Sequence, residues 1–387
     1  MAITWAALHQ FGSARLGLVL AAWAIPRGVL LLFGGVVVDR SDKRSLTALV
    51  GGLLCGLALL TALVTSHGNF NAWIGVAIAL GVLDAVRLPV AATMLPLYLH
   101  PDQLVDANRW NGMREWITLT AGPAVGGGLV AVIGTSRTLL VTAVLYFLSA
   151  ALMAFVPTGA PPLRPDATSV LADLRGGFYY VFRDRRLRIL LPAFALANLF
   201  LLGLIAVAVP VFAKNVLHSG PQGLGALSAC MGIGLVIGTL ACGRLPDRWK
   251  TSPRHMFLLF MLSDLLLASV GVMPALAAAC TVYLLSGLFL GPAATFYRTM
   301  LQSIPPPNHL GRVNSIARAT SFGLEPVSVS LVGALAARLS AGVILVAGGV
   351  IAATVDLTGS TLSARDRISP PDVEATAADP DTAVAGS

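Results

Sequence analysis

Long apolar stretches, each about the length a helix needs to cross a bilayer, alternate with short polar loops along most of the chain. The pattern predicts eleven spans: 16–38, 46–66, 72–99, 106–133, 138–157, 189–213, 222–243, 256–275, 277–303, 312–337 and 341–358. An Arg-rich polar stretch, 158–188, interrupts the rhythm after the fifth span. The chain therefore divides into an N-terminal helix bundle (1–157), a linker (158–188), a C-terminal helix bundle (189–358) and a tail (359–387). The tail's Ala, Asp, Pro, Ser and Thr predict disorder.

Composition sharpens this picture. Only 11% of the 387 residues are Asp, Glu, Lys or Arg, against about 25% in soluble domains, and 56% are hydrophobic. So few charges cannot cover the surface of a water-soluble protein of this length, which excludes an ordinary soluble enzyme, a disordered chain and a coiled coil. The expected class is an all-α polytopic membrane protein. The basic residues give its direction. Eighteen Lys and Arg fall in one alternate set of loops, from Arg40 through Arg109, Arg185 and Arg248 to Arg367. Only Arg15, Arg137, Lys214 and Arg338 fall in the opposite set. The rich set is expected in the cytoplasm, with the C-terminus inside and the protein in a cell (inner or plasma) membrane. The net charge of +8 then reads as this loop bias, with no nucleic-acid partner implied.

Catalytic and cofactor chemistry find no foothold. Cys55, Cys230, Cys242 and Cys280 lie in or beside apolar runs without metal or disulfide spacing, and the six His show none either. Gly232, Gly234 and Gly238 sit inside a span and carry one residue too many for a dinucleotide loop, so they read as packing glycines. No Walker loop and no nucleophile set is visible, so neither an enzyme nor a resident metal or cofactor is expected.

The two halves repeat. At an offset of 203, Pro89 matches Pro292, Arg109 matches Arg312, Asn111 matches Asn314 and Pro123 matches Pro326. At an offset of 208, Gly35 matches Gly243, Asp39 matches Asp247 and Arg40 matches Arg248. Such parallel duplication is a feature of one large class of secondary transporter. Shifting the span 189–213 by 208 residues puts its counterpart almost wholly before residue 1. The first helix of the first half is thus expected to be largely missing, with Met1 to about Leu8 forming its outer end.

The segment Gly35-Val-Val-Val-Asp39-Arg40-Ser-Asp42-Lys43-Arg44 resembles the cytoplasmic loop signature of the major facilitator superfamily, with Asp42 where a second Gly is expected. A degenerate copy, Gly243, Asp247 and Arg248, stands in the second half. Gly122, Pro123, Gly126 and Gly127 resemble the core of a helix-packing motif associated with the exporters of that superfamily, in which Pro kinks a helix and small residues let neighbours approach. Gln302-Ser-Ile-Pro305 and Gly311-Arg312-Val313 are similar to the branch of enterobactin and macrolide exporters. The resemblance implies a two-bundle fold and a central cavity lined by the first, fourth, seventh and tenth helices, counting the missing one. Asp84 and Arg87 would then stand at the cavity with Asn198 opposite.

Charges in mid-span cost on the order of 3 kcal/mol each to insert, so they are the candidate functional groups. Arg27, Asp84, Arg87, Asp264, Arg318 and Glu325 all lie inside spans. A carboxylate whose arginine contact changes between inward- and outward-facing states swings in proton affinity, which suits Asp84 or Glu325 to proton coupling. The expectation is a secondary transporter, a monomer in lipid, exporting a small amphipathic or drug-like molecule against protons. An importer of the same fold and a non-transporting or truncated paralogue are the alternatives.

Overall fold

The computed structural model describes residues 2–39, 41–67, 69–98, 104–156, 181–250, 252–305 and 323–364, together with 313, 316, 317 and 320. The described residues contain helices and turns and no strand. In the first half these are α1 (Ala2–Asp39), α2 (Lys43–His67), α3 (Phe70–Tyr98) and α4 (Leu104–Leu152). The second half begins with α5 (Arg185–Gly203), which a wide π-turn, Leu204–Ala208, joins to α6 (Val209–Asn215). It continues with α7 (Gly220–Ala241), α8 (Pro253–Val270), α9 (Leu276–Ser303), α10 (Glu325–Leu335) and α11 (Ala341–Leu362). Nine stretches among the described residues are long and apolar enough to cross a membrane. The expected eleven spans are consistent with this count, because α4 contains two of them and much of the span 312–337 lies outside the described residues, which leave α10 there. Residues 157–180, which include most of the expected linker 158–188, and residues 365–387 of the expected tail 359–387 lie outside the described residues; 185–188 of the linker belong to α5, and 359–362 of the tail extend α11 where disorder was expected.

Two glycines reverse the chain with almost no loop. Gly12 (φ 78°) breaks α1 and Gly134 (φ 79°) breaks α4, and positive φ is a backbone conformation that glycine adopts without strain. The α4 break is a hairpin. Its second limb runs antiparallel to α2, with Ser136 donating to the Ala62 carbonyl at one end and Arg44 to those of Met153 and Ala154 at the other. Its first limb runs antiparallel to α7, with Pro123 and Gly127 against Gly225 and Pro221. Residues 2–11 are likewise a separate helical stretch before the Gly12 break, which is where the repeat expects the end of a preceding helix.

The repeat is visible in the packing. The α1–α3 pair is parallel, with Gly81 pressed on the Trp23 carbonyl. The α7–α9 pair is parallel in the same way, with Gly234 and Gly238 pressed on the Leu284 and Leu288 carbonyls. These are therefore packing glycines, as their place in a span suggested.

The halves meet along a seam toward the end of the molecule that carries Gly12 and Gly134, here called the closed end. Gly17 of α1 lies on Gly333 of α10, and Gly127 of α4 on Gly225 of α7. Gly17 and Gly225 stand 208 residues apart and Gly127 and Gly333 stand 206 apart, so the two crossings are related by the repeat. Polar ties reinforce the seam. Ser13 donates to the Ala336 carbonyl at 2.8 Å, and Lys214 to the Leu8 carbonyl at 3.0 Å. The apolar core at this end draws on both halves, with Trp5, Leu8 and Leu16 against Phe212, Leu227 and Val332. The second core, built around Leu187, Phe257, Phe296 and Ile316, draws on the second half alone.

Candidate functional site

Mid-span charges from three helices assemble where α1, α3 and α10 come together. Trp23 and Arg27 are one turn apart on α1 and share a face, as do Asp84 and Arg87 on α3. Gly81 sets their distance. With no Cβ, it lets α3 lie against the Trp23 carbonyl and the Pro26 ring, which brings Asp84 within reach of the indole one turn on. Trp23 Nε1–H donates to Asp84 Oδ2 at 3.1 Å, and Arg87 Nε pairs with Asp84 Oδ1 at 3.0 Å. On the other side of the indole, the Arg27 guanidinium stacks 4.3 Å from the ring centroid. Its Nη2 pairs with Glu325 Oε2 of α10 at 3.0 Å, both side chains being 12% exposed.

The result is a continuous chain of contacts, Glu325–Arg27–Trp23–Asp84–Arg87, which begins in the second half and ends inside the first. Glu325 is 11 residues from Ala336 at the closed end, so the ion pair lies about 16 Å deeper along α10 at 1.5 Å rise per residue. Removing one member of a buried pair of this kind costs about 3–5 kcal/mol, because the other charge is left without its partner. Arg87 is the most exposed member, its side chain 48% open. Tyr146, on the second limb of α4, lies within electrostatic reach of both Asp84 and Arg87.

Sequence spacing identified four of these five residues and set Asp84 beside Arg87 on one helix face, where they do pair, but it did not pair Arg27 with Glu325. Glu325 shares a helix face with Arg318 in the sequence, and Arg318 lies outside the described residues. Its partner in the structure is Arg27, nearly 300 positions away. Trp23 gave no signal beyond being an aromatic residue in a span. Asn198, expected opposite Asp84, turns back to donate to the Phe194 carbonyl of its own helix, and the structure does not bring it into this cluster.

The two loop motifs fare differently. Gly35 and Asp39 lie at the end of α1 with side chains outside the described residues, and Arg40 is outside them altogether. Asp42, standing where the signature has glycine, accepts from the Ser45 backbone N–H at 2.9 Å and caps α2. Its hydrogen bonds with Ser45 hold the exposed carboxyl below its ordinary value. Lys43 opens α2, and Arg44 caps the far end of α4 through the Met153 and Ala154 carbonyls. In the second half, Gly243 sits in a 3₁₀ turn with nothing within 4 Å of where a Cβ would be. Close helix approach therefore does not account for that glycine. Asp247 and Arg248 open a single helical turn, where Arg248 is exposed. In the motif of α4, Gly127 and the Pro123 carbonyl make the seam, Gly126 is half-buried, and Gly122 has open space where packing was expected.

Asp264 has a partner that sequence reasoning missed. It faces Asp356 of α11, each 2% exposed, with the carboxyl groups in hydrogen-bonding reach of each other. Oδ2 of each has no other partner in the structure. Among the described residues, no group of three or more His, Cys, Asp or Glu is arranged to hold a metal ion.

Known proteins share this architecture. The family model of the Major Facilitator Superfamily matches residues 1–329. The Multidrug efflux pump Tap of Mycobacterium tuberculosis (strain ATCC 25618 / H37Rv) is 27% identical over 355 residues, covering 87% of this chain and 82% of that protein. The Enterobactin exporter EntS of Escherichia coli O1:K1 / APEC is 26% identical over 321 residues, covering 80% and 74%. Among solved structures, an auto-inhibited POT family peptide transporter superposes with a TM-score of 0.73 at 14% identity over 96% of both chains. A bacterial homologue of the human lysosomal transporter Spinster, inward-facing and unoccupied, gives 0.65 at 14% identity over 95% of this chain and 98% of its own. At such identity these two bear on the fold alone. The matched length, the duplicated helical halves and the seam between them have one reading: the chain belongs to the major facilitator superfamily and is a multi-pass membrane transporter.

Proposed function

We propose that this transporter exports a small amphipathic or drug-like molecule by alternating access, in exchange for protons. The carrying observation is the mid-span ion pair Arg27–Glu325, which bridges the two halves and is tied through Trp23 to Asp84–Arg87. The excess of Lys and Arg in one set of loops supports a cytoplasmic side for those loops and the C-terminus of a cell-membrane protein. The closed end then faces outside. When the halves rock apart at the closed end, Arg27 leaves Glu325, and the carboxylate binds a proton from outside in its place. Closure returns the guanidinium, and the proton leaves toward the cytoplasm. The efflux roles in the names of the two relatives support the outward direction. The central cavity that the resemblance implies would suit amphipathic cargo, its walls being apolar spans with a few charges.

The test uses proteoliposomes with an imposed pH gradient and a fluorescent amphipathic cation as cargo. Substrate addition should release protons from the parent protein, and Asp84→Asn and Glu325→Gln should each lower the protons released per substrate moved. Full coupling in both variants refutes the proton-site assignment. Gradient-driven uptake toward the cytoplasmic face makes the protein an importer, and no movement of any solute makes it a non-transporting member of the fold.

A further inference from the structure

Nothing in the repeat, the loop signatures or the ionisable residues accounts for Trp23, although two ion pairs meet on it. We propose that Trp23 is a positioning residue that couples the bridge between the halves, Arg27–Glu325, to the Asp84–Arg87 pair within the first half. The inference rests on reading these side chains as the transport site. The face and the edge of the indole have separate tasks. The ring carries the Arg27 guanidinium 4.3 Å from its centroid, and Nε1–H holds Asp84 Oδ2 at 3.1 Å. The rigid bicycle therefore fixes the cation and the carboxylate relative to one another. Among the described residues, the other groups facing this indole cluster are Glu325 from α10, Arg87 from α3 and, in electrostatic reach of the Asp84–Arg87 pair, Tyr146 from α4.

The position is also protected from slack. Trp23 and Arg27 are held on one face of α1 by helical geometry, and Gly81 presses α3 on the Trp23 carbonyl, so the indole cannot recede from Asp84 without parting two helices. When the halves part and Arg27 loses Glu325, the Asp84 carboxylate remains anchored to the same indole. Arg27 thus shifts its pairing toward Asp84 as the bridge opens, and the state of the seam reaches Asp84 through Trp23.

A double-mutant cycle tests this with no gradient and no substrate, so its result stands apart from the question of proton coupling. In a background lacking the four native cysteines, Ala6→Cys at the closed end reports seam opening by its rate of alkylation. The rate is measured for Asp84→Asn, Glu325→Gln and both, with Trp23 in place and again in Trp23→Phe, which keeps a ring under Arg27 and removes the N–H. The effects of the two substitutions should be non-multiplicative by about threefold or more with Trp23 and by less than about 1.5-fold in Trp23→Phe. Should Trp23→Phe fail to reach the membrane, Arg27→Lys, which keeps the charge opposite Glu325 but loses the flat stacking group, should abolish the coupling in the same way. Multiplicative behaviour with Trp23, or coupling of 1.5-fold or more that survives both replacements, overturns the proposal.

Discussion

The glycine seam lends itself to a quantitative perturbation. A Cβ on Gly127 would stand 2.7 Å from the Pro221 carbonyl oxygen and 3.0 Å from Gly225 Cα, and one on Gly17 would stand 2.8 Å from Gly333 Cα. Comfortable carbon contacts begin near 3.5 Å, so Gly127→Ala or Gly17→Ala forces the halves apart by about 0.5–0.8 Å at the crossing. Overpacking of this kind costs about 1–3 kcal/mol. The cost falls only on the state in which the halves touch there. Alanine's gain in helix propensity acts in both states and cancels between them. A difference of 1–3 kcal/mol moves the equilibrium toward opening of the closed end by about 5–150-fold. The assay is alkylation of a cysteine introduced by Ala6→Cys, a position 4% exposed in the present state, with an impermeant maleimide added from outside. Gly122→Ala is the control, since nothing lies within 4 Å of that position. Equal alkylation rates for Gly127→Ala and Gly122→Ala would refute the seam as the closure surface. So would a slower rate for Gly127→Ala.

Three further outcomes follow from particular contacts. Asp42→Ala removes the cap of α2 and should lower thermal stability in detergent by about 1 kcal/mol or less at neutral pH, given the exposure of the site. Because the Asp42 carboxyl is held below its ordinary value, its contribution is present above about pH 4 and is lost as pH falls through the lowered value, so acid should close the gap between parent and variant. Arg44→Ala frees the Met153 and Ala154 carbonyls at the end of α4 and should cost about 1–2 kcal/mol by the same measurement. Asp264→Asn should leave the melting temperature unchanged or raise it, since the amide supplies a donor to Asp356. Asp264→Leu, which leaves Asp356 without a polar partner, should lower stability by about 1–3 kcal/mol.

The spans were legible because apolar length in lipid is a strong one-dimensional signal: the stretches 46–66, 222–243 and 341–358 reappear as α2, α7 and α11 with ends moved by a few residues. The breaks expected between the spans 106–133 and 138–157, and ahead of the span beginning at 16, fall at Gly134 and Gly12; that one glycine of positive φ makes each of them was not legible, because the glycines inside the helices carry the same letter. Periodicity likewise placed Asp84 and Arg87 on one face, but a helix face says nothing about which other helix it meets. The Arg27–Glu325 and Asp264–Asp356 pairings depend on the closing of the two halves and on the antiparallel run of α8 and α11. No spacing along the chain encodes either. Asp42 shows the same limit in a loop: against the signature it is only a departure from glycine, and in the structure it is a helix cap.

The repeat itself separates packing from function at the seam. Its two crossings use the same device, glycine on glycine, in positions related by 208 and 206 residues. The charges are not duplicated. At the offset of 208, Trp23 corresponds to Met231 and Arg27 to Leu235. At the offset of 203, Asp84 corresponds to Gly287, Arg87 to Leu290, and Glu325 back to Gly122. The α4–α7 crossing therefore holds the halves together with apolar counterparts at every one of these positions, so joining the halves does not require an ion pair. Since each mid-span charge costs on the order of 3 kcal/mol to insert, four of them at and beside one crossing, with none at the counterpart positions, are a burden that packing leaves unexplained. Carrying the apolar set across, as Arg27→Leu with Glu325→Gly and Asp84→Gly with Arg87→Leu, should leave the seam closed by alkylation and abolish substrate-driven proton release. A quadruple variant that still released protons would show that the charges serve only to bind the halves.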